Sequence, residues 1–224
     1  MKSRLLIALL VCFAVATHAI AGAPTRAEVL EIAASFADYR WEPVAKNVRH
    51  GRDDAGIDVQ TPDRSTGNPD LWQPGEPSIG VPYKWGGFDT LASFARGVRA
   101  GKAAGDLYNA DKRRKGGAAV SAEAVGVDCS GFISRCWQLE EKKDTSSLAA
   151  LCTKLNSCAD LRPGDVLNVA GGHVVLFARW VDATQTRAVF YEAEPFSRVR
   201  ASERVVPEMI AIGYVPLRYR KIRD

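Results

Sequence analysis

Apolar residues recur along this chain with two different spacings. Up to about residue 142 they return every three or four positions, which is typical of helices that bury one face. This spacing predicts helices at 25–39, 90–101 and 128–142. After residue 163, short apolar runs between turn residues predict strands at 166–169, 173–181, 188–193 and roughly 210–218. Helices followed by strands predict an α+β domain, with helices packed on an antiparallel sheet.

The first predicted helix has an explicit start signal. Thr25 is followed three positions later by Glu28, which is a capping box. In a capping box the hydroxyl and the carboxylate bind the free amides at the helix start. The helix is therefore expected to begin beside this pair.

Two segments lack regular spacing. Asp, Gly and Pro are frequent at 44–80, which predicts an irregular segment wrapped around the domain and anchored by Ile57, Val59 and Trp72. Gly, Ala and Lys are frequent at 102–126, which predicts a mobile loop. We interpret its basic run at 112–117 as a solvated surface turn in preference to a lid that contacts a substrate.

The first residues have the composition of an export signal. Lys2 and Arg4 precede an unbroken apolar run, and small residues follow it. Residues 1–23 are therefore predicted to be a signal peptide cleaved after Ala23, with Ala21 as the other option. The product would be periplasmic or secreted. A membrane-tethering helix is the alternative, although the run is shorter than the roughly 20 residues that span a bilayer.

The rest of the chain, about 200 residues, suits one domain with a substantial core. The whole chain has 30 Lys and Arg residues against 26 Asp and Glu residues, a formal charge of +4. So small an excess does not indicate a nucleic-acid partner, and neither zinc-finger spacing nor basic–aromatic repeats occur. No later segment is apolar enough for stable membrane insertion once the signal is removed. The oligomeric state stays open.

Four cysteines follow the predicted signal: Cys129, Cys136, Cys152 and Cys158. An oxidising compartment permits disulfides, and Cys152 could close a small loop with Cys158. If Cys129 stays a free thiol, at least one other cysteine is unpaired as well. Cys136, seven residues after Cys129 on a predicted helix, is expected to be a buried and unreactive thiol.

Cys129 has the surroundings of a nucleophile. Asp128 or Ser130 can cap a helix there, and Gly131 permits another chain or a substrate to come close. A cysteine at a helix N-terminus lies near unpaired amides and the positive end of the helix dipole, which favour a thiolate. The same amides could bind the oxyanion formed on a substrate carbonyl. The alternative is a small apolar residue in a first helical turn.

His173 is the candidate base. His18 lies in the predicted signal and His50 in a charged loop, whereas His173 follows two glycines and begins an apolar strand. A buried imidazole needs a polar partner. Cysteine–histidine catalysis also needs the ring within hydrogen-bonding reach of the thiol. A structural histidine that caps a turn is the alternative.

An acceptor on the far side of the imidazole would complete this group. Glu192 and Glu194 lie in the next predicted strand and share one of its faces, because strand side chains alternate with a period of two. A carboxylate within an apolar strand is costly unless it is paired. Glu192, flanked by Tyr191 and Ala193, is the preferred candidate, and two solvent-facing carboxylates are the alternative.

Four short motifs occur in an order that resembles the NlpC/P60 family of cysteine hydrolases. They are Pro82-Tyr83-Lys84-Trp85-Gly86-Gly87, Asp128-Cys129-Ser130-Gly131-Phe132, Leu161-Arg162-Pro163-Gly164-Asp165 and Gly172-His173-Val174. Each motif alone is weak, but together they are specific and cover about residues 79–195. The resemblance implies a papain-like α+β fold in which the cysteine helix packs on the sheet that bears the histidine.

The resemblance also implies roles for individual residues. Cys129 would be the nucleophile, His173 the base and Glu192 the third polar residue, although a glutamate is less usual in the family at that place. Tyr83 would bind the substrate carbonyl or its oxyanion, beside Asp128 and Ser130. Family members commonly cut peptide or amide bonds of the bacterial cell wall, often next to D-glutamate and a diamino acid. This chemistry needs no metal and no organic cofactor.

The expected function is an exported cysteine peptidase or amidase acting on peptidoglycan stem peptides. Residues 79–224 would form the catalytic domain, and residues 24–78 an extension that wraps it. The long insertion between the first two motifs and the lack of a familiar wall-binding repeat leave the specificity open. The alternatives are an acyltransferase or thioesterase with the same Cys–His pair, a non-catalytic exported binding domain, and a secreted toxin or effector with another target.

Overall fold

The structure is a computed structural model that describes residues 23–224, so the predicted export signal lies outside the described residues apart from Ala23. The helices are α1 (Arg26–Ala37), α2 (Leu91–Arg99), α3 (Ala110–Lys115), α4 (Cys129–Cys136), α5 (Thr145–Ala150) and α6 (Val206–Ala211). The strands are β1 (Arg40–Trp41), β2 (His50–Arg52), β3 (Asp58–Gln60), β4 (Ser78–Ile79), β5 (Ala103–Ala104), β6 (Ala124–Val125), β7 (Cys152–Lys154), β8 (Val166–Asn168), β9 (Val174–Trp180), β10 (Arg187–Ala193), β11 (Val199–Val205) and β12 (Val215–Tyr219). Within residues 23–224, no helix has both the length and the apolar character needed to cross a membrane.

A six-stranded sheet lies at the centre, in the order β11, β10, β9, β8, β12, β7. The strands β9, β10 and β11 form a meander of long hairpins, in which Glu192 lies opposite Arg200. The last strand, β12, inserts between β8 and β7. Every pairing in this sheet is antiparallel, which confirms the predicted α+β class.

Both faces of the sheet are buried, which explains the apolar run after His173. Val174 and Leu176 of β9 belong to the core that includes α1 and α4. Val175 and Phe177 belong to a second core on the other face, to which α6 contributes. A strand with two buried faces is apolar at successive positions instead of alternate ones.

The helix α1 begins at the predicted capping box. Thr25 Oγ1 accepts a hydrogen bond from the Glu28 amide at 3.2 Å, and Glu28 Oε2 accepts one from the Thr25 amide at 2.7 Å. Phe36 of α1 packs edge-on against Phe132 of α4, with ring centroids 5.9 Å apart. The first helix therefore shares a core with the helix that begins at Cys129.

The turn-rich segment at 44–80 is held to the domain by the apolar residues expected to anchor it. Val59 and Trp72 are buried, and Ile57 is half-buried. Trp72 packs edge-on against Trp41, with ring centroids 5.4 Å apart. The segment also contains the paired strands β2 and β3, so it is more regular than predicted.

The prediction of a loop at 102–126 is wrong, because this segment has defined secondary structure. It contains α3 and the parallel pair of β5 and β6. Lys112 anchors α3, since its side chain is buried and forms an ion pair with the buried carboxylate of Asp106. The basic run at 112–117 is therefore not wholly a solvated turn.

The helix α4 ends at Cys136, well before the predicted end at residue 142. Gln138 adopts a left-handed φ of 53°. The Leu139 amide donates to the Ser134 carbonyl at 2.9 Å, and the Gln138 amide donates to the Arg135 carbonyl at 3.0 Å. These bonds form a Schellman cap, which usually has glycine at the left-handed position. The sequence contains no glycine there, so it gives no signal of the helix end.

The C-terminal part departs from the prediction in two ways. The strand expected from about residue 210 begins at Val215, because Ile210 belongs to α6, which has Pro207 in its first turn. The strand β11 was not predicted, and neither were α5 and β7. β11 lies at the edge of the sheet and contains several charged, exposed residues, so it lacks the apolar pattern of a buried strand.

Two glycines fix the start of α4 against the neighbouring loop. The Gly87 carbonyl accepts a hydrogen bond from the Asp128 amide at 3.2 Å. A Cβ atom on residue 131 would overlap the same carbonyl oxygen, so the approach requires glycine at that position. The segment that contains Tyr83 and the helix that begins at Cys129 are thus packed backbone to backbone.

We predict that Gly131→Ala destabilises the protein by about 1–3 kcal/mol, the usual cost of overpacking a filled site. In a helix with free space at that position, replacing glycine by alanine would stabilise the protein by up to about 1 kcal/mol. The expected loss of stability is therefore due to the Gly87 carbonyl. Urea unfolding followed by circular dichroism measures the effect. Gly117→Ala is the matched control, because a Cβ atom there meets no other described atom within 4 Å. Wild-type stability of the Gly131→Ala variant would contradict the prediction.

Candidate active site

Cys129 is the first residue of α4, and Asp128 caps this helix. Asp128 Oδ1 accepts a hydrogen bond from the Gly131 amide at 2.6 Å. The amides of Cys129 and Ser130 lie in the same first turn, where amides have no partner inside the helix. Cys129 is 7 % exposed and faces a cleft. The predicted nucleophile therefore lies at a helix N-terminus that opens on a cavity.

His173 lies directly before β9 and contacts Glu192 of β10. Its Nε2 atom is 3.0 Å from Glu192 Oε2. Its Nδ1 atom is buried and has no hydrogen-bond partner among residues 23–224. The Cys129 thiol is among the groups that raise the pKa of His173, which places the sulfur near the imidazole. The structure thus brings together the three residues that the sequence suggested as nucleophile, base and acceptor.

The Glu192 carboxylate is 1 % exposed, and both of its oxygens are occupied. Oε2 contacts His173, while Oε1 accepts from the Ser202 hydroxyl and from Arg204 Nη2, the latter at 2.5 Å. Burial alone would raise the pKa of Glu192. The hydrogen bonds from His173, Ser202 and Arg204 outweigh burial and lower the pKa to about 2. The acceptor is therefore a charged carboxylate at neutral pH.

Glu194, the other candidate acceptor, contacts a different side chain. Its carboxylate is 2.9 Å from Arg200 and is partly exposed. Of the two glutamates, only Glu192 is therefore in contact with the His173 ring among the described residues.

Two opposing effects act on the pKa of the His173 imidazole. Burial alone would lower its pKa, because it disfavours the charged ring. The Cys129 sulfur and the Glu192 carboxylate act in the opposite direction, and together they raise the pKa to about 10. At neutral pH the ring is therefore an imidazolium between a carboxylate and a sulfur.

Tyr83 lies beside Cys129 on the wall of the same cleft. The residue is 2 % exposed, and its amide donates to the Ser197 carbonyl at 3.0 Å. Burial, followed by the charges of Cys129 and Asp128, raises the pKa of Tyr83 well above its ordinary value. The hydroxyl therefore stays protonated at neutral pH and can donate a hydrogen bond to an oxyanion.

Asp128 and Ser130, which were predicted beside the substrate, bind each other through their side chains. The Ser130 hydroxyl donates to Asp128 Oδ1 at 3.0 Å, and Lys142 Nζ lies 3.0 Å from Asp128 Oδ2. Both residues line the cleft. Their side-chain oxygens are engaged inside the protein, and the Asp128 amide donates to the Gly87 carbonyl, so what this pair offers a substrate is chiefly the Ser130 amide.

A cleft of about 820 Å³ lies beside Cys129. One of its walls is aromatic. Tyr108 lies 5.7 Å from Trp85 and 6.3 Å from Phe196, measured between ring centroids. Phe196 is 59 % exposed, so this wall presents apolar surface to a ligand.

The helix α3 contributes a second wall and meets the loop that leads to His173. Arg113 Nη2 donates to the Gly171 carbonyl at 2.8 Å, two residues before the histidine. Arg113, Gly116 and Gly117 all line the cleft. The segment interpreted from the sequence as a solvated turn therefore forms part of the cleft beside Cys129.

Three residues of this site were not predicted from the sequence: Lys142, Ser202 and Arg204. Ser202 and Arg204 lie two positions apart in β11, and the pairing of β11 with β10 brings both to Glu192. Their alternation could have been recognised only after β11 itself had been identified. Lys142 has no local signal, because it reaches Asp128 through the unpredicted turn at Gln138.

The four cysteines in the described part of the chain are free thiols. The disulfide considered between Cys152 and Cys158 is therefore not formed in this structure. Cys136 is fully buried, and burial raises its pKa well above the ordinary value. These properties agree with the unreactive thiol expected at that position.

Comparisons of the chain with protein-family models, with curated proteins and with solved structures find no match. The assignment of the site therefore depends on its own geometry and on the motifs of the sequence. Within residues 23–224, no cluster of three or more His, Cys, Asp and Glu side chains is arranged to hold a metal ion.

We predict that Glu192→Gln lowers the pKa of His173 towards the ordinary value, because the amide keeps an acceptor but removes the charge. An NMR titration of ¹⁵N-labelled histidine measures the pKa. Glu194→Gln is the matched control and should leave the titration of His173 unchanged, since that carboxylate contacts Arg200. Equal effects of the two substitutions would show that Glu192 has no special role.

The raised pKa of His173 also predicts a pH-dependent stability. The folded protein holds this proton more tightly than the unfolded chain, so the stabilisation is complete below about pH 6.5 and is lost as the pH rises towards about 10. Urea unfolding of the wild type and of His173→Gln at about pH 6, 8 and 10 tests this expectation. The difference in free energy of unfolding should shrink with rising pH, and a constant difference would refute it.

Proposed function

We propose that this chain is an exported cysteine peptidase or amidase with a papain-like fold of the NlpC/P60 type. We further propose that it hydrolyses amide bonds in peptidoglycan stem peptides. The main support is one arrangement: the sulfur that begins α4 faces an imidazolium whose other nitrogen contacts a buried carboxylate. Such a pair activates a thiol and then supplies a proton to the leaving group.

In the first half of the reaction, the Cys129 thiolate attacks the carbonyl carbon of a substrate amide. The carbonyl electron pair moves to oxygen, which is stabilised by the amide at the helix start and by the Tyr83 hydroxyl. The His173 imidazolium then gives its Nδ1 proton to the amide nitrogen as the C–N bond breaks. The products are a free amine and a thioester on Cys129.

In the second half, His173 is neutral and accepts a proton from water. The hydroxide oxygen bonds to the thioester carbon, and the C–S bond breaks to release a carboxylic acid and the thiolate. Glu192 holds the ring through Nε2 in both halves, so Nδ1 faces the reacting atoms throughout.

The choice of substrate has two further supports. The first residues resemble an export signal, and export brings a bacterial enzyme to the cell wall. The helix α4 packs against the strand β9, which begins directly after His173. The resemblance implies the same arrangement, in which the cysteine helix packs on the sheet that bears the histidine. The resemblance implies cleavage next to D-glutamate and a diamino acid, both of which carry charged groups, and Arg113, Lys142 and Asp144 lie among the residues that line the cleft.

A second candidate, an acyltransferase or thioesterase that uses the same residues, is favoured by the aromatic wall of the cleft. Trp85, Tyr108 and Phe196 would contact an apolar acyl chain more readily than a polar peptide. The chemistry at Cys129 would be unchanged. Only the acyl donor, and for a transferase the acceptor, would differ.

We predict that the purified protein cleaves peptidoglycan fragments and that Cys129→Ala removes this activity entirely, because it removes the one thiol among residues 23–224 that lines the cleft. Mass spectrometry of the fragments identifies the cut bond. Cys158→Ala is the matched control, since it removes a thiol that does not line the cleft. That variant should retain wild-type turnover.

Retained cleavage by the Cys129→Ala variant would refute the assigned nucleophile. A parallel assay with an acyl thioester separates the two candidate functions. Hydrolysis or transfer of the acyl group without cleavage of wall fragments would favour the second candidate. No turnover on either substrate would favour a non-catalytic binding domain.

A further inference from the structure

We propose that Lys142 is a positioning residue for the reaction at Cys129, a role that goes beyond the four residues named by the family resemblance. Its cation neutralises the carboxylate of Asp128, which caps the helix beside the nucleophile. Without Lys142, the charge of that carboxylate would oppose negative charge on the sulfur and on the oxyanion.

The two carboxylate oxygens of Asp128 have different partners, and one of them binds Lys142. Oδ1 accepts hydrogen bonds from the Gly131 amide at 2.6 Å and from the Ser130 hydroxyl at 3.0 Å. Oδ2 lies 3.0 Å from Lys142 Nζ. Lys142 Nζ also lies 3.4 Å from Ser130 Oγ, so the cation bridges the two residues that flank Cys129.

The fold brings Lys142 back to the start of α4 by a defined route. The Schellman cap at Gln138 reverses the chain after the helix. The Ser134 hydroxyl then accepts a hydrogen bond from the Lys143 amide at 3.1 Å, which holds the returning chain along the helix. As a result a residue that follows the helix C-terminus lies at its N-terminus, where Lys142 is 26 % exposed and lines the cleft.

Electrostatics gives this ion pair a consequence for catalysis. A helix N-terminus favours negative charge, and here the Asp128 carboxylate, the Cys129 sulfur and a future oxyanion share the same end. Asp128 is only 8 % exposed, so solvent screens its charge weakly. Its charge is among those that raise the pKa of Tyr83, after burial and Cys129.

Other charged groups act on the same atoms and must be held constant in a test. Those that act on Cys129 or Lys142 are His173, Tyr83, Tyr214, Asp128 and Asp144. A substitution at residue 142 leaves all five side chains in place, but it also removes a charge that helps to lower the pKa of Asp144.

The test is the rate at which iodoacetamide alkylates Cys129, resolved by peptide mass spectrometry across a range of pH. Lys142→Met should lower the rate near pH 6 by about tenfold and move the rate profile to higher pH, because a tenfold change corresponds to about one pH unit. Lys142→Arg should restore the wild-type profile, since it restores the cation. Lys143→Met is the matched control and should change nothing, because Lys143 pairs with Glu141 on the surface.

A double substitution distinguishes neutralisation from a loss of folding. Asp128→Asn combined with Lys142→Met removes both charges and keeps an oxygen to cap α4, so it should recover most of the lost rate. Wild-type alkylation of the Lys142→Met variant would overturn the proposal. So would an equal loss in Lys143→Met, or a double variant no faster than Lys142→Met.

Alkylation requires no substrate, so this proposal and the proposed function can fail separately. Failure of the function would appear as wild-type Cys129 that reacts no faster than Cys158, or as an absence of turnover. Failure of the role of Lys142 would appear as a reactive Cys129 whose rate profile is indifferent to residue 142.

Discussion

The arrangement of this site depends on one buried carboxylate. Glu192 lies in the central sheet with 1 % exposure, and an unpaired charge at that depth would be strongly destabilising. Three groups compensate it: the His173 ring, the Ser202 hydroxyl and the Arg204 guanidinium. His173 lies at the start of β9, and Ser202 and Arg204 lie in β11. The Glu192 carboxylate in β10 can contact all three groups only when these strands pair in one particular register. That same register holds the His173 ring near Cys129, which is among the groups that raise its pKa.

Cys129 and His173, the proposed nucleophile and base, are held by different means. Cys129 is positioned by backbone packing, since the Gly87 carbonyl lies against Gly131 and accepts a bond from the Asp128 amide. The base is positioned by side chains, through Glu192 and its partners. The sulfur therefore meets the imidazole only when the helix packs against the sheet, which the apolar contacts of α1, α4 and β9 enforce. The packing of the core therefore also brings the residues of the site together.

The features that were predicted correctly have local signals in the sequence. The capping box at Thr25, the apolar run of β9 and the placement of Cys129 at a helix start each depend on a few neighbouring residues, and the structure contains them all. The early end of α4 could not be predicted, because Gln138 occupies a position at which glycine is the usual signal. Lys142 could not be placed for the same reason. The strand β11 was not predicted because its exposed charged residues interrupt the apolar pattern of a strand. Ser202 and Arg204, which lie in β11, were therefore not predicted either.

The basic run that begins at Lys112 shows why substrate choice is harder to derive than chemistry. Residues 112–115 form about one turn of α3, yet they lie in three different environments. Lys112 is buried against Asp106, Arg113 lines the cleft, and both Arg114 and Lys115 pair with Asp111 at the surface. Composition describes the run only as basic, whereas its function depends on which residue faces which way. Cys129 and His173 lie in short motifs that can be recognised in the sequence. The walls of the cleft come from several separate segments, among them α3 and the loop after β10, and their contribution is defined only by the packing of the whole chain.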